Sequence, residues 1–286
     1  MIYATGTIVP GRSGDDPLGG AAMGSETVAE QFRNAREDAA VKAIVLRVDS
    51  PGGSAFSSEV IRREVEITRR EKPVVVSMSD VAASGGYWIA MSASKIVAQP
   101  GTITGSIGVL TGKFNLTGLY SKLGLTNDYV ATSDTATLDY PFQNFTPAQR
   151  ESVERSMRDI YRNFLQGVAD GRHMPVAAVD KIAQGRVWSG ERARQLGLVD
   201  ELGGLDQAIE AARELAKIPK GQSVKLELLP PRKSFFERVL ELFGNAEVLS
   251  RNASPGLWLA RPWLERLQAL TREPAWAILP SVPEVW

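Results

Sequence analysis

Apolar residues in the first half of the chain come in short dense runs divided by Gly- and Pro-containing turns. Ala43-Ile44-Val45-Leu46-Arg47-Val48-Asp49 and Pro73-Val74-Val75-Val76-Ser77-Met78 are rich in β-branched residues and have the length of buried strands. Met1 to Val9 reads as another strand, and Ile96-Val97-Ala98 as a short one before Pro100-Gly101. Residues 10–24, rich in Gly and Asp, read as a mobile loop. Thr27-Val28-Ala29-Glu30 fits a capping box that opens a helix to about Ala39. Residues 56–71 have a helical period with a charged, solvated face. Phe114 to Leu123 reads as a helix stopped by Gly124.

The clearest helix start is Thr146-Pro147-Ala148-Gln149, where Thr caps, Pro fills the first turn and Gln stands three residues on. Val153, Met157, Ile160, Tyr161, Phe164, Leu165 and Val168 then recur at helical spacing, a stripe that reads as core or subunit contact. Ser189-Gly190-Glu191 opens a short helix ending at Gly197, and Leu205 to Lys217 is amphipathic. Strands alternating with helices argue for α/β architecture. Past Gly221 the character changes. Val224 to Leu229 reads as a strand broken by Pro230-Pro231, and Phe235, Phe236, Val239, Leu240, Leu242 and Phe243 form an apolar helical face. Trp258, Trp263, Trp276 and Trp286 crowd the end among prolines. Such residues suit a partner surface or membrane interface, although packing or subunit contact is the simpler expectation. The domain boundaries that follow are a large α/β domain at 1–220 and a C-terminal extension of a strand plus amphipathic helices at 221–286.

Two turns carry candidate chemistry. Ser84 lies in Val81-Ala82-Ala83-Ser84-Gly85-Gly86-Tyr87-Trp88, soon after the second strong strand. Small neighbours permit a tight turn and close approach of a substrate backbone, and the N–H of Gly85 would point toward a developing oxyanion. The same segment also suits a small-residue turn packed under a helix. The first strand runs into Ser50-Pro51-Gly52-Gly53-Ser54, where adjacent glycines expose backbone N–H groups. Together the two strand-turn-helix units look like two halves of an oxyanion site.

Composition narrows the field. A chain of 286 residues accommodates one large α/β domain and an extension. Apolar and charged fractions of 43% and 23% are ordinary for a soluble protein. A net charge of +0 argues against a strongly basic nucleic-acid surface. The absence of cysteine excludes disulfides, thiol nucleophiles and Cys-metal sites. No apolar stretch of about 18 residues and no signal-peptide pattern occurs. Neither a phosphate-loop motif nor a metal-ligand cluster is found, so no metal and no cofactor is expected. A chain that opens inside a core strand is expected to be a fragment, or a half whose partner lies upstream.

The string Val48-Asp49-Ser50-Pro51-Gly52-Gly53, then Ala82-Ala83-Ser84-Gly85-Gly86-Tyr87-Trp88 and Thr104-Gly105-Ser106-Ile107-Gly108-Val109, resembles the bacterial signal peptide peptidase A (protease IV) family. Asp180-Lys181-Ile182-Ala183-Gln184-Gly185-Arg186-Val187-Trp188-Ser189-Gly190 and Gly197-Leu198-Val199-Asp200 match it too, so the resemblance runs to about Pro219. It implies a Clp protease/crotonase-like α/β superhelix of strand-strand-helix units, here with a C-terminal helical extension. It also implies peptide-bond hydrolysis by a serine-lysine dyad.

A serine nucleophile needs a base. The single histidine, His173, lies in a loop with no sign of catalytic pairing, which makes a Ser-His-Asp triad unpromising. A desolvated lysine can be neutral near pH 7 and serve instead. In short relatives that lysine lies just ahead of the Thr-capped helix, but here residues 131–142 contain none. In double-length relatives the serine belongs to the C-terminal copy and the lysine to the N-terminal copy, and this chain resembles the serine-bearing copy. Lys42, Lys72 and Lys95 lead into strands, Lys113 and Lys122 flank a surface helix, and Lys181 belongs to a short helix.

The resemblance therefore implies Ser84 as nucleophile, Ser106 as the group orienting the lysine, and Gly53 and Gly85 as oxyanion donors, with Gly52 as fallback. Implied partners are apolar peptides such as cleaved signal peptides, an N-terminal half carrying the lysine, and further copies in a homo-oligomeric ring. Val81, Tyr87, Trp88 and Ile107 are expected to make the surroundings of Ser84 apolar. The implied location is the outer face of a bacterial cytoplasmic membrane, held by an anchor outside this chain. The competing readings are a non-catalytic scaffold or interaction subunit of the same fold, and acyl-CoA chemistry, which commonly uses acidic residues near the glycine turns.

Overall fold

The computed structural model describes residues 1–15, 21–133, 135–229 and 276–278. Its elements begin with β1 (Ile2–Thr5), β2 (Thr7–Val9), β3 (Gly14–Asp15), β4 (Ala21–Gly24), α1 (Ser25–Glu37), β5 (Ile44–Ser50), β6 (Gly52–Ser54) and α2 (Ala55–Arg69). Then come β7 (Val74–Ala83), α3 (Gly85–Ala90), β8 (Lys95–Ala98), β9 (Ile103–Gly105), α4 (Thr117–Lys122) and α5 (Pro147–Arg172). The remainder are α6 (Val176–Ile182), β10 (Val187–Ser189), α7 (Gly190–Gln195), β11 (Glu201–Leu202), α8 (Leu205–Leu215) and β12 (Trp276–Ile278).

The larger sheet runs β1-β5-β7-β8-β11 with every pairing parallel, and β9 and β10 branch from β7. Its strands are apolar on both faces because both faces are covered. On one side Ile44, Leu46, Val48, Val74, Val76 and Met78 pack with Phe32 of α1, Ile61 and Val65 of α2, and Phe164 and Val168 of α5. On the other, Val45, Val75 and Val97 meet Ala208, Ala211 and Ala212 of α8. The smaller sheet runs β12-β6-β2-β4-β3. The chain passes from β1 to β2 and from β5 to β6, crossing each time from the larger sheet to the smaller before a helix returns it. This is the α/β, strand-strand-helix winding expected of the Clp protease/crotonase-like fold.

Several local expectations change. The opening strand is two, because Gly6 at φ 95° turns the chain from one sheet to the other. Residues 10–24 contain β3 and β4. The capping box at Thr27 does not form. The helix starts two residues earlier at Ser25, and the Thr27 hydroxyl accepts the Ser13 N–H at 2.9 Å, tying the preceding segment to α1. The segment Val224 to Leu229 is not a strand. Only Leu229 bridges to Ile2, through bonds to Met1 O and from Tyr3 N–H. The helix expected at Phe114–Leu123 is the shorter α4, with no buried residue. The apolar helical face at 235–243 and the side chains of Trp258, Trp263, Trp276 and Trp286 lie outside the described residues.

The Thr146 capping box does form, with Gln149 N–H donating to Thr146 Oγ1 at 3.2 Å and Thr146 N–H to Gln149 Oε1 at 3.1 Å. Tyr87 of α3 is fully buried and donates to Leu198 O at 2.9 Å, joining parts of the chain 111 residues apart. Burial drives its phenol pKa upward. Tyr87→Phe removes that donor and strands a carbonyl, so urea unfolding should show a loss of about 1 kcal/mol.

Candidate active site

The site grows out of strand register. Ala83 at the end of β7 pairs with Gly105 at the end of β9, so Ser84 and Ser106 leave neighbouring strands side by side. Ser84 N–H donates to Gly105 O at 2.9 Å. Thr104 Oγ1 donates to Ala82 O at 2.7 Å and Thr102 Oγ1 to Ser79 O at 2.7 Å, which keeps the two strands in step. Both serines have positive φ, 53° for Ser84 and 48° for Ser106. For residues with a Cβ such conformations cost about 1–3 kcal/mol each, and they persist only where the surroundings fix them.

The glycine turn lies against the serine turn. The β5–β7 register shifts between Val48 and Ser50, after which Ser50 pairs with Ala82. Gly86 approaches so closely that a Cβ there would lie 2.7 Å from Ser50 O. Gly85 is the first residue of α3, where helix N–H groups lack intrahelical acceptors. Gly53 lies within β6, between Ile8 of β2 and Ala277 of β12. The sequence-expected elements are thus gathered, although Gly53 and Gly85 do not line the cavity that holds the serines.

That cavity, of about 370 Å³, has Ser84, Ser106, Gly108, Val109 and Leu110 on one side. Met157, Arg158 and Tyr161 of α5 and the turn residues Gln184 and Gly185 close it. The apolar neighbours expected at Ser84 are not the ones found there. Tyr87, Trp88 and Ile107 are core residues, and Val81 does not line the cavity. Their places are taken by Val109, Leu110, Met157 and Tyr161. The helical stripe has two uses: Phe164, Leu165 and Val168 are core, while Met157 and Tyr161 reach the cavity. Arg158, Gln184 and Gly185 were unmarked by sequence reasoning, although Gln184-Gly185 falls within the downstream motif.

Among the described residues neither Ser84 nor Ser106 makes a side-chain hydrogen bond, and none of the lining residues is a base at neutral pH. Arg158 is a cation and largely exposed. The Tyr161 phenol is pushed up to about 12 by burial and by its bond to Asp180. No lysine is among the described residues that line the cavity, and four are engaged elsewhere: Lys42 on Ala39 O, Lys72 on Ala35 O, Lys95 with Glu201, and Lys113 on Leu138 O and over the Phe145 ring. Desolvation lowers the Lys113 amine, but Lys113 does not line the cavity. His173 is the exposed, left-handed C-cap of α5.

The model of peptidase family S49 matches residues 66–219, which include both serines and every residue lining their cavity. The chain belongs to peptidase family S49. It is 42% identical over 220 residues to the chloroplastic serine protease SPPA of Arabidopsis thaliana and 45% identical over 219 residues to Protease 4 of Salmonella typhi. These matches cover 75% and 76% of this chain but 32% and 34% of those proteins, so the S49 chain spans a third of their length. The Synechocystis sp. protein slr0021 is 30% identical over 258 residues, 90% of this chain and 92% of its own. Among solved structures, a ClpP1 mutant from Listeria monocytogenes aligns with 73% of this chain and 93% of its own at TM-score 0.47 and 14% identity.

Proposed function

We propose that this S49 chain is the serine-bearing half of a peptidase that hydrolyses apolar peptides, cleaved signal peptides among them. The observation that carries the reading is the Ala83–Gly105 register, which delivers Ser84 and Ser106 to one cavity walled by Val109, Leu110, Met157 and Tyr161. In this reading Ser84 Oγ attacks the scissile carbonyl carbon while its proton passes to a lysine amine. The carbonyl oxygen takes up the negative charge, stabilised in this reading by the Gly85 N–H at the start of α3, with Gly53, paired between β2 and β12, the second donor that the family resemblance implies. Collapse breaks the C–N bond, and the lysine ammonium returns its proton to the leaving amine. Water then repeats the sequence on the acyl-serine. Ser106 holds the lysine lone pair toward Ser84.

In this reading the base comes from outside the chain, which fits the lack of a neutral proton acceptor among the described residues lining the cavity. An N-terminal half carrying the lysine supplies it, in a ring of such units at the outer face of a bacterial cytoplasmic membrane. Among the described residues no helix is long and apolar enough to cross a membrane. The same lack of a base favours a second reading, a scaffold subunit that keeps the fold without the dyad.

Labelling of Ser84 by a fluorophosphonate separates the two, with Ser84→Ala as control. The expected result is no labelling of the chain alone and labelling once the lysine-bearing half is added. Labelling of the chain alone would reveal a local base. No labelling in either case would leave the scaffold.

A further inference from the structure

One wall of the serine cavity is held by a bond network that the hydrolytic scheme leaves unused. Tyr161 of α5 donates its hydroxyl proton to Asp180 Oδ1 at 2.7 Å and accepts the Gln184 N–H at 3.1 Å. Asp180 lies on α6 and Gln184 in the turn between α6 and β10, so one phenol clips that whole segment to α5. Gln184 needs such a clip, since it has φ 58° with a Cβ and precedes Gly185 at φ 75°. From this turn two backbone bonds reach the serine: Gly185 N–H donates to Ile107 O at 2.9 Å, and Ser106 N–H donates to Arg186 O at 2.7 Å. The far end is fixed by Trp188, whose Nε1 donates to Ile182 O at 2.9 Å and whose ring abuts Gly105.

We propose that Tyr161 and Asp180 form a positioning pair which, through the Gln184–Arg186 turn, sets the direction in which the Ser106 hydroxyl enters the Ser84 cavity. The catalytic meaning of this pair rests on the reading above, in which Ser106 orients the incoming amine. The Tyr161 ring lines the cavity as well, so its hydroxyl is the part that does the positioning. Burial and the bond to Asp180 push that hydroxyl up to about 12, so near neutral pH it keeps its proton and donates to Asp180.

Amide hydrogen exchange in the full chain tests the pair without any need for turnover. Tyr161→Phe and Asp180→Ala should speed exchange at the Ser106 and Gly185 amides about tenfold, with β5 and β7 unchanged. Asp180→Asn retains an acceptor for the phenol and should exchange like the parent. Tyr87→Phe serves as a control for general loosening and should leave both amides alone. Unaltered exchange at Ser106 in Tyr161→Phe, or acceleration spread across the sheet, overturns the proposal.

In the assembly with the lysine-bearing half, Tyr161→Phe should lower kcat about tenfold or more with KM within about twofold, since the ring remains and only alignment is lost. An unchanged kcat overturns the positioning role. If the parent assembly cleaves nothing, the peptidase reading falls, and the exchange result still decides whether the pair directs the Ser106 turn.

Discussion

Ser84→Ala is expected to lower peptide cleavage by the assembled peptidase by about four orders of magnitude or more, while the unfolding midpoint moves by less than about 2 °C. The two halves of that expectation have separate causes. In the proposed scheme no acyl-enzyme forms without Oγ, and what remains is the small acceleration available from binding and oxyanion contacts. Stability is spared because the Ser84 hydroxyl has no hydrogen-bond partner among the described residues, so its removal leaves no donor or acceptor stranded. The backbone bonds that hold the turn, Ser84 N–H to Gly105 O and Trp88 N–H to Ser84 O, do not involve the side chain. Ser106→Ala should be milder, about 10²-fold, because in the proposed scheme it disorients the base without removing the nucleophile. Cleavage kept at the parent rate by Ser84→Ala would end the case for this serine.

How much of this was legible in the sequence depended on whether the signal was local. Ser106 was marked only through the resemblance carried by Thr104-Gly105-Ser106-Ile107-Gly108-Val109, whereas Ser84 could be found because it follows an apolar strand and sits among small residues, features contained within ten positions. The core of β5 and β7 was legible for the same reason. The wall of the cavity was not. Met157 and Tyr161 lie more than fifty residues beyond Ser106, on a helix whose stripe is continuous with the core residues Phe164, Leu165 and Val168, and helical period alone cannot tell a cavity wall from a buried face. Thr27 failed in the opposite way. Its capping-box pattern is sound locally, but Ser13 takes its hydroxyl and Glu30 pairs with Arg12 at 3.4 Å, so the helix begins where tertiary contacts put it. Val224 to Leu229 has a strand's composition, yet only Leu229 reaches β1, and a strand requires a partner along its length.

The glycine turn leads to the other large effect. Gly53→Ala should destabilise the fold by about 3 kcal/mol or more, read as a shift of the urea midpoint. Gly53 has φ 153°, and the room for a side chain is already filled: a Cβ would lie 2.1 Å from Ile8 O and 2.6 Å from Ile8 N. These are backbone atoms of a fully buried residue, so no rotamer change relieves the overlap. Ile8 and Gly53 are the pair that joins β2 to β6, and β6 in turn carries β12, so relief means parting the smaller sheet at its centre. The damage should extend to chemistry, because moving β6 moves the Gly53 N–H that the proposed mechanism aims at the oxyanion. Fluorophosphonate labelling in the presence of the lysine-bearing half should therefore fall by about 10²-fold, even at temperatures where the variant remains folded. A variant that keeps its midpoint would show that β2 and β6 are not packed as described. One that loses stability but labels at the parent rate would remove Gly53 from the oxyanion site and leave Gly85 as the donor to test.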